Sequence, residues 1–303
     1  MNNLHKGTLI RTVGGFGDVL LDDGGELRCA LRGKLKQKEH RPLVGDRVEV
    51  SGVSSGEGVI ENILPRGNRM WRPTVSNVDQ LLAVISATNP DPGWLLLNSQ
   101  LVQAERFHIA PLICVNKIDL LEEDNYHSIK ENLELFPYRV LYTTAIQGKG
   151  IDDLRENLQD KTTVLAGPSG AGKSTLLNAV QPGLQLKTGE VSRKGGRGKH
   201  TTRRVELFVL HSGGLVVDTP GFNKLKLMFE IDELKDADLM LKEWFPEFKE
   251  FDYMCKFNSC LHDSEPGCAV REAVEDGKLS KMRYRHYLKF LEEIRLEQEK
   301  RMK

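Results

Sequence analysis

The chain has 303 residues, 39% of them hydrophobic, enough for ordinary packed cores, and its 43 basic and 43 acidic side chains cancel to a formal charge of zero. That balance excludes a global field as the means of holding nucleic acid, so any such contact must come from local patches. The longest apolar runs, LLAVISA and PLICV, fall far short of the roughly 20 residues of a membrane helix, and MNNLHKGTLI lacks a signal-peptide core, so a soluble, cytoplasmic protein without membrane contact is expected.

Two domains are the usual count for this length, and three small ones are compatible with it. Residues 1–70 carry five short alternating segments, GTLIRTV, GDVLLDD, ELRCALRG, GDRVEVSG and GVIENIL, separated by turn residues. This spacing predicts a small barrel of OB type. Between its third and fourth strands, Arg32, Lys34, Lys36, Lys38, His40 and Arg41 are offset only by Glu39. The stretch reads equally as a solvated loop or as a phosphate-backbone contact.

Residues 71–224 change to buried strands alternating with helical segments, the rhythm of a parallel α/β sheet. LLLNSQLVQAERF is the expected crossover helix between LLAVISAT and PLICVNK, and VELFVLHSGGLVVDTPG reads as an antiparallel hairpin turned at HSGG. Residues 225–303 are polar and helix-prone apart from a cysteine cluster. In the final helix, Tyr284, Tyr287, Leu288, Leu291 and Ile294 form one apolar face. Such a face docks on its own domain or takes a partner.

Gly167, Gly172, Lys173 and Ser174 in GPSGAGKST fit a phosphate cradle flanked by TVLA and TLLNAV. Backbone amides from Gly167, Pro168, Ser169, Gly170, Ala171 and Gly172 through Thr175 frame such a site. Proline contributes only its carbonyl. The following helix aims its positive end at the same charge. Lys173 would be the catalytic cation bridging the β and γ phosphates, and Ser174 would hold Mg²⁺ through its hydroxyl; alone, this motif does not separate ATP from GTP.

NKID, at the end of an apolar strand, supplies guanine selectivity. Asp119 accepts from the base N1–H and exocyclic amine, Asn116 braces the loop, and the Lys117 stem covers the base. A bare strand-to-helix turn is the alternative. Thr144 and Ala145 fall in a turn that can place amides by the base. DTPG offers Asp218 to Mg²⁺ through water and the Gly221 amide to a γ-phosphate. GGRGKHTTRR offers Thr201 or Thr202 as the switch hydroxyl on Mg²⁺, with Thr202 favoured. The order of these parts, base reader before cradle, is that of a circular permutation.

A Gln after D-x-x-G orients the attacking water in many GTPases. Phe222 stands there, so slow intrinsic hydrolysis is expected. His200 beside the switch threonines is the candidate catalytic group, against the reading of a merely basic, solvated loop. Finally, Cys255-x₄-Cys260-x-His262-x₅-Cys268 presents three thiolates and an imidazole, a closed set for one structural zinc ion. Free thiols are the alternative. Cys29 and Cys114 lie in strands and read as core.

Together the barrel, NKIDL, GPSGAGKSTLLN, GRGKHTTR, DTPGF and CKFNSCLHDSEPGCAV resemble, over nearly the whole chain, the circularly permuted, ribosome-small-subunit-dependent GTPase A family of bacteria. The resemblance implies an OB barrel at 1–70, a permuted GTPase domain at 71–224 and a zinc-binding helical domain at 225–303. It further implies GTP and GDP as ligands, contact with the small ribosomal subunit and its rRNA late in maturation, and ribosome-stimulated hydrolysis. A monomer is expected. One departure is Asn98-Ser99, where the family pattern carries an Asp-Arg pair, which puts a local helix contact in question. The functional rivals are a nucleotide-gated RNA-binding switch whose hydrolysis only resets the bound state, an ordinary ATPase, and a protein that meets another RNA assembly through its barrel.

Overall fold

A computed structural model describes residues 4–36, 41–52, 56–71, 73–184, 205–218, 227, 229 and 231–302. The five alternating segments form β1 (His5–Val13), β2 (Phe16–Leu21), β3 (Glu26–Leu31), β4 (Arg47–Ser51) and β5 (Gly58–Ile63), closed in the order β1-β2-β3-β5-β4. Strands β3 and β5 run parallel and the other pairs antiparallel. Leu9, Val19, Cys29, Val48, Val50 and Ile60 are fully buried inside, the residues that period-2 alternation sends inward. Arg32 of the basic stretch is paired with Glu61.

A ribbon of β6 (Arg69–Trp71) and β7 (Thr74–Ser76) follows. Asp46, with no exposed surface, is held between barrel and ribbon. Its carboxylate accepts from Arg66 Nε at 2.6 Å and Nη2 at 2.7 Å, Ser76 Oγ at 2.6 Å and the Leu43 amide at 2.7 Å. A buried carboxylate is tolerated when its lone pairs are matched in this way.

The α/β part comprises β8 (Gln80–Ser86), α1 (Trp94–Arg106), β9 (Ala110–Asn116), α2 (Glu123–Glu134), β10 (Arg139–Thr143), α3 (Ile151–Leu158), β11 (Thr162–Ala166), α4 (Lys173–Val180), β12 (Leu207–Val209) and β13 (Leu215–Asp218). Its six strands are ordered β10-β9-β8-β11-β13-β12, parallel for β10/β9 and β11/β13 and antiparallel for the hairpin β12/β13. All seven residues of β8 are buried, as a strand covered on both faces requires.

The chain divides into two compact units. The first holds Met1–Leu82, Thr144–Ala166 and Gly172–Phe222, and the second Ala83–Thr143, Gly167–Ala171 and Asn223–Lys303. Within the second, the C-terminal helix Lys281–Met302 packs with Leu241, Phe245, Phe248 and Val270, and Val102 of α1 joins that core. Tyr287, Leu291 and Ile294 of the apolar face are buried there and Tyr284 and Leu288 are packed against it, so the face docks on its own unit.

Candidate nucleotide and metal sites

The first glycine of the cradle is dictated by its neighbour. Gly167 has φ 140°, and a Cβ there would lie 2.1 Å from the Val84 carbonyl oxygen of β8, inside any tolerable contact. The turn ends at Gly172, φ 88°, a left-handed residue that caps α4, so Lys173, Ser174 and Thr175 occupy its first turn. There the N-terminal backbone amides and the helix dipole favour an anion. Ser169 and Gly170 form the exposed rim, Pro168 is half-buried and Ala171 is buried.

Asn116 ends β9 and is 1% exposed. Its Nδ2 donates to Ala171 O at 2.9 Å, and its Oδ1 accepts from Thr143 Oγ1 at 3.2 Å. The NKID motif is therefore bonded directly to the GPSGAGKST turn, although 55 residues separate the two partners. Lys117 is left-handed, φ 66°, and its Nζ donates to the Asn89 carbonyl at 2.5 Å. Asp119 lies half-buried in the 3₁₀ turn Ile118–Leu120.

Thr144 and Ala145 follow β10. Thr144 N donates to Lys149 O at 3.1 Å, and the buried Thr144 hydroxyl has no hydrogen-bond partner among the described residues. A buried hydroxyl costs about 1–3 kcal/mol when unmatched, so this group suits a loop that receives a ligand. Asp218 ends β13, with its backbone in register with Leu165 of β11, the strand that feeds the cradle. His200, Thr201, Thr202 and Gly221 lie outside the described residues.

The four sequence-predicted metal ligands are brought together. Donor atoms of Cys255, Cys260, His262 and Cys268 all lie within 4.8 Å of one another, and His262 Nδ1 is 3.7 Å from Cys255 Sγ and 3.4 Å from Cys268 Sγ. Tetrahedral zinc, with bonds of about 2.0–2.3 Å, separates its ligand atoms by roughly 3.5–3.8 Å, so the set fits. Burial pushes the Cys260 thiol up to about 12 and also raises Cys268, which leaves a bound cation as the means of favouring thiolates there. Burial also lowers the His262 pKa, keeping the imidazole in its neutral, ligating form.

Support around these ligands had no sequence signal. Asp252 Oδ1 lies 3.2 Å from His262 Nε2, the outer carboxylate that orients a ligating imidazole. Glu265 accepts from the Leu261 and Asp263 amides at 2.9 Å each, and Tyr284 and Tyr287 hydroxyls donate to His262 O and Leu261 O at 2.6 Å each. Cys29 and Cys114 are buried in β3 and β9, with burial raising their thiols to about 11 and about 12. They are core residues, as read from the sequence.

Two family models match the chain: the RsgA GTPase over residues 63–228 and the RsgA N-terminal domain over residues 6–60. The small ribosomal subunit biogenesis GTPase RsgA of Clostridium perfringens is 47% identical over 95% of this chain and 98% of its own length. The protein of that name from Caldanaerobacter subterraneus is 42% identical over 98% of each. Among solved structures, YjeQ from Thermotoga maritima superposes with a TM-score of 0.84 at 35% identity, covering 96% of this chain and 99% of that one. YloQ, described as a circularly permuted GTPase, gives 0.80 at 38% identity, covering 97% and 96%.

Proposed function

This chain belongs to the RsgA GTPase family and is a small-ribosomal-subunit biogenesis GTPase, and on that premise we propose that it binds the subunit's rRNA late in maturation and hydrolyses GTP there at a subunit-stimulated rate. The observation that carries the nucleotide reading is the 2.9 Å bond from Asn116 to Ala171 O, which makes the base-reading loop and the phosphate cradle one structure. Asp119 reads guanine, and Thr144 and Ala145 offer backbone amides beside the base. Gly167 to Thr175 cradle the phosphates, with Lys173 neutralising the charge that develops between the β and γ groups. Ser174, Asp218 and Thr202 (or Thr201) would hold Mg²⁺, which when bound neutralises phosphate charge. The Gly221 amide would meet the γ-phosphate.

With Phe222 unable to orient water, the chain's own rate is slow, and docking brings His200 or a neighbouring cation to the site. The Cys₃His set takes zinc as a structural ion: the donors are soft, form a closed set and are buried except for the half-buried Cys255, leaving no position for substrate. The parts divide as 1–70 for RNA, 71–224 for nucleotide and 225–303 as the zinc-braced module of a cytoplasmic monomer. GTPase assay of the purified chain with and without small subunits tests the proposal. A rate unchanged by subunits removes the stimulated step, and His200→Ala with an undiminished stimulated rate removes His200.

A further inference from the structure

Residues 87–93 join β8 to α1 and belong to none of the nucleotide motifs, yet they touch two of them. Ala87 N donates to Asn116 O at 2.8 Å, and a side chain at Gly170 would meet Pro90 Cδ at 3.4 Å, so the corner lies against both base reader and cradle. At its centre the Asn89 carbonyl accepts from Lys117 Nζ at 2.5 Å. Both partners are left-handed, Asn89 at φ 46° and Lys117 at φ 66°. Asparagine is among the few non-glycine residues that take this backbone readily, whereas a β-branched residue resists it. The residue type at position 89 therefore sets where that carbonyl points.

A lysine stem has many rotamers, and a wall built from one is useful only when its far end is fixed. The main chain fixes Lys117 at one end and the Asn89 carbonyl fixes it at the other, leaving the methylenes stretched between the two as an apolar strip. We propose that Asn89 is a positioning residue for base binding: its main-chain carbonyl anchors the Lys117 ammonium and so holds the stem that covers the purine. The inference rests on the nucleotide reading above and adds a residue outside its motifs. Because the anchor acts at the base end, it contributes equally to GTP and GDP, unlike a defect in the cradle, where the γ-phosphate adds contacts.

The test is dissociation of methylanthraniloyl-GDP and of methylanthraniloyl-GTP, followed by fluorescence, from the full chain. Asn89→Val speeds release of both by on the order of tenfold, the loss of one hydrogen bond to a charged group. Asn89→Gly, the conservative control that keeps the left-handed backbone, retains slow release. Lys117→Met keeps the stem and loses the ammonium, so it shows the same loss, and in that background Asn89→Val adds nothing further.

An Asn89→Val effect that is absent, or equally large in the Lys117→Met background, overturns the inference while leaving the nucleotide reading intact. Should Asn89→Val not fold, Lys117→Met alone decides, and release from it at the unaltered rate is equally fatal. Failure of the unaltered chain to bind either probe refutes the nucleotide reading itself, and this inference with it.

Discussion

In the proposed base site, the guanine preference would be concentrated in the two carboxylate oxygens of Asp119. An amide in its place presents a donor where the guanine amine also donates, whereas xanthine carries an oxygen there and accepts. Asp119→Asn should therefore reduce GTP affinity by several orders of magnitude and raise that for xanthosine triphosphate, read by competition against labelled GDP. An unaltered preference would remove Asp119 as the base reader.

Asn98, half of the Asn98-Ser99 departure, shows how one residue fixes the state of another. The guanidinium of Arg283 can only donate, so the 2.9 Å contact from Nη1 identifies Asn98 Oδ1 as acceptor, which turns Nδ2 toward His286 Nδ1 at 2.8 Å. That nitrogen must then accept, and the ring is neutral. Burial first, then the charges of Lys289 and Arg283, hold His286 down at about 4. Between there and about 6.5 the unfolded chain binds a proton that the native ring refuses, so this residue makes stability fall as pH drops through that window. The loss is at most about 3 kcal/mol, and closer to 1 because the ring is partly solvent-facing. Urea midpoints at pH 5 and 7.5 should lie closer together in His286→Gln than in the unaltered chain. At the departure itself, Asn98 is thus bonded to the C-terminal helix through Arg283 and His286.

At the scale of elements, periodicity revealed the five barrel strands, the crossover helix α1, the hairpin β12/β13 and the apolar face of the C-terminal helix, because each is a local repeat. It was silent on what lies between elements. Arg283, without exposed surface, is ion-paired to Glu247 and lies 4.8 Å from the Phe245 ring and 5.0 Å from Phe136, so three segments, its own helix included, meet at one side chain. Nothing in the helical pattern distinguishes it from a solvated arginine. The three-residue strands β6 and β7 are too short to show alternation, and they fall where the texture of the sequence changes.

The same gap hides the role of the tyrosines on the C-terminal helix. Spacing placed them on the packing face, but only the fold shows their hydroxyls donating to the carbonyls flanking and within the metal cluster. Tyr287→Phe keeps the ring and drops one buried bond, so it should cost about 1–2 kcal/mol. It should also speed zinc release to a chelating dye, whereas Leu296→Ala, 47% exposed in the unaltered helix, should leave release unchanged.

For the whole molecule, net neutrality makes the location of charge decisive. The nucleotide parts were legible because each is a short motif of fixed spacing, and their permuted order was legible because the sheet requires only neighbours in space. The proposed RNA contact has no such grammar, and the basic stretch after β3 is its best-defined sequence candidate. Arg32 is already engaged with Glu61, which shifts attention to Lys34 and Lys36. If these two neutralise phosphates, each releases a counterion on binding. Lys34→Gln/Lys36→Gln should then reduce the slope of log affinity for small subunits against log salt by about 1–2 and leave the chain's own GTPase rate unaltered. A solvated loop would give the same slope before and after substitution, and the RNA contact of the barrel would then have to be sought on another face.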